Sequence, residues 1–322
     1  MILKDFTDFH RAEGVYYGGD AGAKNAIVYN DSIWLLKFPK TTRFMARPQI
    51  SYTTSPLSEY IGSKIYETLG LPVHEVKLGT KHNKIVAVCK DFTRSIKPGS
   101  KGAIEDISEI SRLIPFHDLK NAFMTSDTES YTGSGSATIL DEVLATIEGQ
   151  DTLAALPGVT ERFWDMFVID AFIGNSDRNN GNWGILINNA THEISLAPVY
   201  DNGNAFYNKR SIEQMSKRLA NKELISQDAV GTLVSAYQYT QADSGGHSIK
   251  PFEYIAATDN EDCKAALVRF AKACDMNKIE EIIDEIPESV RNLSVMPRIQ
   301  KDFYKALLTY RAENALLPNA RN

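Results

Sequence analysis

Asp177, Asn182 and Asp201 are the side chains whose types and spacing could do chemistry. Asp177 opens the polar loop DRNNGN, Asn182 closes it, and Asp201 opens the tripeptide DNG. Phosphoryl transfer needs a carboxylate that orients a hydroxyl and takes its proton. It also needs an amide oxygen and a second carboxylate to hold Mg²⁺ against the phosphates. The five-residue step from Asp177 to Asn182 is that of a protein-kinase catalytic loop, and Asp-x-Gly follows at a compatible distance. Taken singly, Asp177 reads at least as well as a turn residue at a helix end, and Asp201 as a hairpin-turn residue. In this order, with apolar segments between them, the phosphotransfer reading stands well ahead.

The elements around these residues must bring them to one rim. The run from Phe163 to Ile173 is apolar on nearly every side, which marks a buried helix. Gly174 and Asn175 end it. Trp183 to Ile187 and Leu196 to Tyr200 read as two short buried strands, the second ending on Asp201.

The segments GNSDRNNGNWG and APVYDNG resemble the catalytic segment of HipA-like serine/threonine kinases, nearest to the short, stand-alone CtkA type. They are also similar to the DRHxxN loop of phosphoinositide kinases. The resemblance implies an α+β, protein-kinase-like two-lobed fold, with a small β-rich N-lobe (1–92), a larger helical C-lobe (93–322) and ATP between them. It implies Asp177 as the catalytic residue, Asn182 and Asp201 as Mg²⁺ ligands, and Asn179 and Asn182 close to the nucleotide. One position departs from the family: Asn179 stands where a histidine is usual. If that histidine neutralises the transferring phosphate, activity here is altered or lost, and a nucleotide-binding pseudokinase becomes the rival reading.

Tyr16 to Tyr29 (YYGGDAGAKNAIVY) reads as strand, glycine-rich turn and strand. Glycines let successive N–H groups converge on phosphate oxygens. The GKS/T ending of a Walker A loop is absent. From the residues alone, a hairpin without a ligand is the better reading. The resemblance implies a phosphate loop made of Gly18, Gly19, Asp20, Ala21, Gly22, Ala23 and Lys24. No Ser or Thr occurs between Tyr16 and Asp31, so the self-phosphorylated serine of some members is absent from this loop.

Ser32 to Phe38 is a strand with Lys37 among apolar residues. A lysine on an edge strand is the plain reading. Its place one strand and a turn after the glycines favours the lysine that reaches the α- and β-phosphates. Ser58 to Leu69 has helical spacing and Gly70 is a good stop. Glu59 either complements the positive end of that helix or pairs with Lys37, and the two readings are compatible. Val73 to Lys77 and Ile85 to Phe92 read as strands. The resemblance places the adenine-binding hinge at Cys89, Lys90, Asp91 and Phe92.

Beyond Ser100 the pattern turns helical. Helices are expected over Ile104–Ile114, Phe116–Met124, Ile139–Ile147, Ile212–Leu224, Ser226–Tyr237, Pro251–Ala257, Asp262–Cys274, Met276–Ile286 and Met296–Ala315. Thr125–Thr138 and Thr240–Lys250 read as surface loops. The first is rich in Ser and Thr and so a candidate self-phosphorylation segment, though such richness more often marks a solvated loop.

The totals exclude several classes. A net charge of −6 argues against a general nucleic-acid-binding face. Cys89, Cys263 and Cys274 lack CxxC spacing and read as free thiols, and the six histidines show no metal-ligand spacing. The charged N-terminus is no signal peptide, and no apolar run approaches the roughly 20 residues that span a bilayer. A soluble cytoplasmic protein is expected, and an effector secreted by a non-cleaved route would look the same. The resemblance implies a protein substrate, such as an aminoacyl-tRNA synthetase for a toxin or a host protein for the CtkA type. It also implies a small antitoxin partner. Full-length HipA proteins carry a domain ahead of the phosphate loop. Here only the first 17 residues precede it, so that domain is missing or supplied by another chain. The DRNNGN loop also fits a kinase acting on a lipid or small molecule.

Overall fold

Five strands, β1 (Lys4–Asp5), β2 (Lys24–Tyr29), β3 (Ser32–Lys37), β4 (Val76–Lys81) and β5 (Lys84–Lys90), form a sheet in the order β1-β4-β5-β3-β2. Two tight turns set its register. Asn30 and Asp31 join β2 to β3, and His82 and Asn83 join β4 to β5, all four at positive φ. Such turns match the twist of antiparallel strands. Alternation along the strands feeds two cores. Ile27, Trp34, Leu36, Val86 and Val88 pack with Phe6, whereas Ala26 and Ile33 pack with Ala12, Val15 and Ile96. The computed structural model describes residues 1–18, 23–126, 135–240 and 246–321.

The helix α1 (Ser55–Thr68) packs on β4 and β5. It begins three residues earlier than the apolar pattern suggests, because Pro56 is well placed in a first turn, where no N–H is needed. Gly70, at φ 87°, ends it. Glu59 therefore sits beyond the first turn, 1% exposed, and is no terminal charge complementing the helix dipole.

The chain groups into two compact units. The first comprises Met1–Ser111, Asn202–Ile225 and Asp275–Leu307, and the second Arg112–Asp201, Ser226–Cys274 and Leu308–Asn322. The first thus takes in chain from beyond residue 200, including the helix Met276–Asp284, which packs on α1.

Ile104–Ile114 is not a helix. It forms a short 3₁₀ turn (Ile104–Asp106) and then β7 (Ile107–Glu109) and β8 (Ser111–Pro115), with β7 paired to β6 (Arg94–Ile96). The isoleucines have helical spacing, but β-branching restricts χ1 and suits a pleated strand. β8 joins β9 (Gly184–Asn188) and β10 (Ile194–Leu196) in a three-stranded sheet. The last of these ends at Leu196 rather than Tyr200. Pro198 has no N–H to give a ladder, although Ala197 and Val199 stay buried.

The second unit is built on helices α2 (Phe116–Ser126), α3 (Leu140–Gly149), α4 (Asp151–Ala155) and α5 (Val159–Ile173). The last is buried nearly all round, as its apolar run predicts. Phe116 stacks on Trp183 with ring centroids 4.1 Å apart. Ser226–Tyr237 departs from the expected helix. After α6 (Ile212–Leu219) and α7 (Lys222–Ser226) comes one π turn, Gln227–Gly231, and then irregular chain. Tyr237 from that chain packs edge-on to Phe163. Among the described residues, no helix is long and apolar enough to cross a membrane.

The helix Arg298–Arg311 ends on a fully buried arginine. Arg311 Nε donates to the Ala229 carbonyl at 2.8 Å and Nη1 to the Phe172 carbonyl at 3.1 Å. Phe172 lies in the last turn of α5, whose carbonyls have no partner within the helix. Arg311→Leu should therefore lower stability by about 2–3 kcal/mol, the worth of hydrogen bonds from a charged group. Urea denaturation monitored by circular dichroism checks this, and an unchanged midpoint would refute the role.

Candidate active site

The candidate catalytic-loop residues hang from α5. Gly174 caps the helix at φ 70°, and Asn175 turns back so that its N–H meets the Asp170 carbonyl at 2.8 Å. The Asn175 Oδ1 then accepts the N–H of Asp177 at 3.1 Å. Arg178 is 2% exposed and organises the rest of the loop. Its Nε and Nη2 donate to Asp170 at 2.8 and 3.2 Å. Its Nη1 donates to the Asn182 carbonyl at 3.0 Å and also to the Tyr200 carbonyl. One side chain thus ties α5 to the end of the loop and to the residue before Asp201. Tyr237, buried beside Asp170 and Arg178, stays protonated, because burial and then Asp170 push its hydroxyl up.

Within the loop, Asn182 Nδ2 donates to the Asp177 carbonyl at 2.6 Å. That commits the amide nitrogen to the loop, and the amide oxygen is the atom a hard divalent cation would take. Asp177 is exposed, as a candidate for meeting a substrate must be. Asn179 Nδ2 donates to Asp177 Oδ1 at 3.1 Å, and its Oδ1 accepts the Gly181 N–H at 2.9 Å. Asn179, where the resemblance led a histidine to be expected, therefore orients Asp177. Asp201 has φ 63°, a left-handed backbone rarely held by a non-glycine residue.

In the first unit, Lys37 and Glu59 form the ion pair that sequence spacing suggested, Nζ to Oε2 at 3.0 Å. A second donor was not foreseen. His74 Nε2 lies 3.1 Å from Glu59 Oε1, with His74 and Glu59 both buried. Burial alone would raise the Glu59 carboxyl, but Lys37 and His74 hold it far below the usual carboxylate range. Glu59, His74 and Cys89 also bring ligand atoms within 4.8 Å of one another. Histidines that look scattered along the chain thus include one that folding carries to the site.

Of the glycine-rich loop, only the ends are among the described residues. Gly19, Asp20, Ala21 and Gly22 lie outside the described residues, as does 127–134 of the Ser/Thr-rich segment. Lys24 Nζ donates to the Gly18 carbonyl at 2.5 Å, and the Ala23 carbonyl accepts the Phe38 N–H at 3.1 Å. At the expected hinge, Cys89 is buried in β5. The N–H groups of Lys90 and Asp91 are committed to the Glu75 and Ile33 carbonyls. The Asp91 carboxylate accepts from Tyr17, Thr93 and Arg94, so its side chain braces the unit. Phe92 comes next, partly buried.

Sequence reasoning missed Asp170, Arg178, His74 and the role of Asn202, whose Nδ2 donates to Ser63 Oγ at 3.0 Å. A charged residue inside an apolar helical run was the available signal for Asp170. For His74 and Asn202 there was none, because both act across long sequence separations.

Comparison with known proteins identifies the family and the fold. The model of the HipA-like C-terminal domain matches residues 21–292. The chain is 33% identical over 315 residues to the serine/threonine-protein kinase CtkA of Helicobacter pylori (strain J99), covering 97% of this chain and 86% of the relative. The crystal structure of a Helicobacter pylori proinflammatory kinase CtkA superposes with a TM-score of 0.82 at 30% identity, over 99% of this chain and 97% of that one. HipA of Shewanella oneidensis MR-1, solved with HipB and operator DNA, shares the fold at a TM-score of 0.56 and 14% identity, over 97% of this chain and 70% of that one. Matched in family and in fold, the chain belongs to the HipA-like C-terminal domain family and is a kinase of the α+β, two-lobed kind.

Proposed function

We propose that the protein transfers the γ-phosphate of ATP to Ser or Thr hydroxyls of a protein substrate. The observation that carries this reading is the Arg178 clamp, which joins the loop bearing Asp177 and Asn182 to the chain entering Asp201. In this reading Asp177 accepts the hydrogen bond of the attacking hydroxyl and takes its proton. Asn179 keeps that carboxylate oriented. Lys37, held by Glu59, reaches the α- and β-phosphates, and the backbone from Gly18 to Lys24 covers them. The amide oxygen of Asn182 and the carboxylate of Asp201 are a hard donor pair suited to Mg²⁺. Bound there, Mg²⁺ would neutralise charge on the β- and γ-phosphate oxygens. Cys89 to Phe92 serve as the hinge toward adenine without the N–H groups of Lys90 and Asp91, which are spent on the Glu75 and Ile33 carbonyls. The protein acceptor is inferred from kinship with CtkA, and a small partner like the HipB that accompanies HipA is a further expectation of this reading.

Intact-mass spectrometry with Mg²⁺-ATP tests the assignment. Wild type should gain phosphate, on itself or on added acceptor protein, and Asp177→Ala should lose about 10²–10⁴-fold in rate. Transfer by Asp177→Ala at the wild-type rate would sink it. Tight ATP binding with no transfer by wild type would favour a nucleotide-binding pseudokinase.

Lys37→Met tests the anchoring pair. It should abolish transfer and reduce stability by about 2 kcal/mol near neutral pH, since Glu59 loses a charged donor. The Glu59 carboxyl is lowered in the native state, so its contribution is full above an unfolded carboxylate value of about 4.3 and fades as pH falls toward the native value. The gap in Tm between wild type and Lys37→Met should therefore shrink on acidification below about pH 4. A gap that widens there would contradict the pairing.

A further inference from the structure

Asn202 is fully buried although it directly follows Asp201, a candidate metal ligand. Its Nδ2 donates to Ser63 Oγ at 3.0 Å. Ser63 lies four residues after Glu59 on α1, so both face one side of the helix. Ser63 Oγ stands 3.2 Å from His74 Nε2. His74 reaches one oxygen of Glu59 at 3.1 Å, and Lys37 holds the other at 3.0 Å. Lys37, Glu59, His74, Ser63 and Asn202 thus run as one chain of polar contacts, its last four members all buried.

Chemistry sets the direction of these bonds. A bare imidazole lone pair facing a carboxylate oxygen would be repelled, so His74 Nε2 carries a proton and donates to Glu59. Ser63 accepts from Asn202. Polar groups satisfied in this way away from water resist separate movement, because breaking one contact leaves its partner desolvated and unmet. The left-handed backbone of Asp201, uncommon for a non-glycine residue though more accessible to Asp than to most, is steadied by such a restraint.

We propose that His74, Ser63 and Asn202 are positioning residues that couple the Lys37–Glu59 pair to the backbone at Asp201, so that phosphate anchoring and metal holding are set together. The proposal rests on the kinase reading above for the roles of Lys37 and Asp201. A polar cluster that served stability alone would not make the two halves interdependent. Coupling, in contrast, must be reciprocal.

Calorimetry of ATP binding, with Mg²⁺ and with EDTA, reads the coupling in wild type, His74→Leu, His74→Gln, Asn202→Leu and the His74→Leu/Asn202→Leu pair. His74→Leu should cut the gain in affinity that Mg²⁺ confers by about tenfold, the scale of losses from residues that orient a ligand. Asn202→Leu should weaken metal-free ATP binding several-fold, as coupling to Lys37 demands. The double variant should be no worse than the more severe single one, as for residues in one network. His74→Gln, whose amide N–H can reach the same carboxylate oxygen, should stay within about threefold of wild type. Ser63→Ala, which removes only the linking oxygen, repeats the test if a leucine variant fails to fold. The proposal is overturned if each single variant affects only its own half, or if the losses add. A wild type that binds ATP but transfers nothing would count against the kinase reading and leave the coupling measurable. A wild type that binds no ATP would overturn both.

Discussion

A guanidinium withdrawn from water must have its donors met, and at Arg178 that requirement shapes the site. Two donors go to Asp170, the charged residue in an otherwise apolar helix. Another goes to carbonyls on either side of the chain that carries Asn182 and Asp201. The pair is buried, so neither partner can leave without stranding a charge, which costs several kcal/mol. The loop geometry is thus enforced by desolvation. It also explains why α5 must be buried all round, since only a firmly packed helix can hold Asp170 at a fixed place.

The first unit solves a similar problem with a carboxylate. Glu59 is 1% exposed, which disfavours its ionised form. Lys37 and His74 answer this from opposite oxygens. A carboxylate held at both oxygens has little freedom to rotate, so the ammonium of Lys37 is held in place too. Rigidity of this kind, set before a ligand arrives, suits the phosphate-anchoring role proposed for Lys37, because less ordering remains to oppose binding.

The relation to HipA shows what such constraints preserve. At 14% identity the fold is still recognisable. Little of that likeness can lie in particular surface residues. A fold shared at that level reflects general requirements of packing, such as the need to cover apolar faces. Local chemistry varies on that frame. At Asn179 the amide both donates to Asp177 and accepts from Gly181. It keeps the carboxylate in place without adding a charge.

The sequence by itself determined the local items. The apolar run of α5, the hairpin strands around Lys37, the Gly70 stop and the Asp177–Asn182 loop were legible because each depends on residues within a few positions of one another. Errors arose where local pattern was ambiguous. The isoleucines from 104 to 114 fit helical spacing, yet strand partners more than ten residues away claimed them. Val199 and Tyr200 looked like strand until the missing N–H of Pro198 ended the regular ladder. Only the tertiary structure decided which distant groups would meet: His74 with Glu59, Asn202 with Ser63, Arg311 with the end of α5. The reason is physical. Periodicity and turn chemistry are properties of neighbours in the chain, whereas the pairing of a buried charge is settled by whichever groups packing brings within about 3 Å of it, the reach of a hydrogen bond.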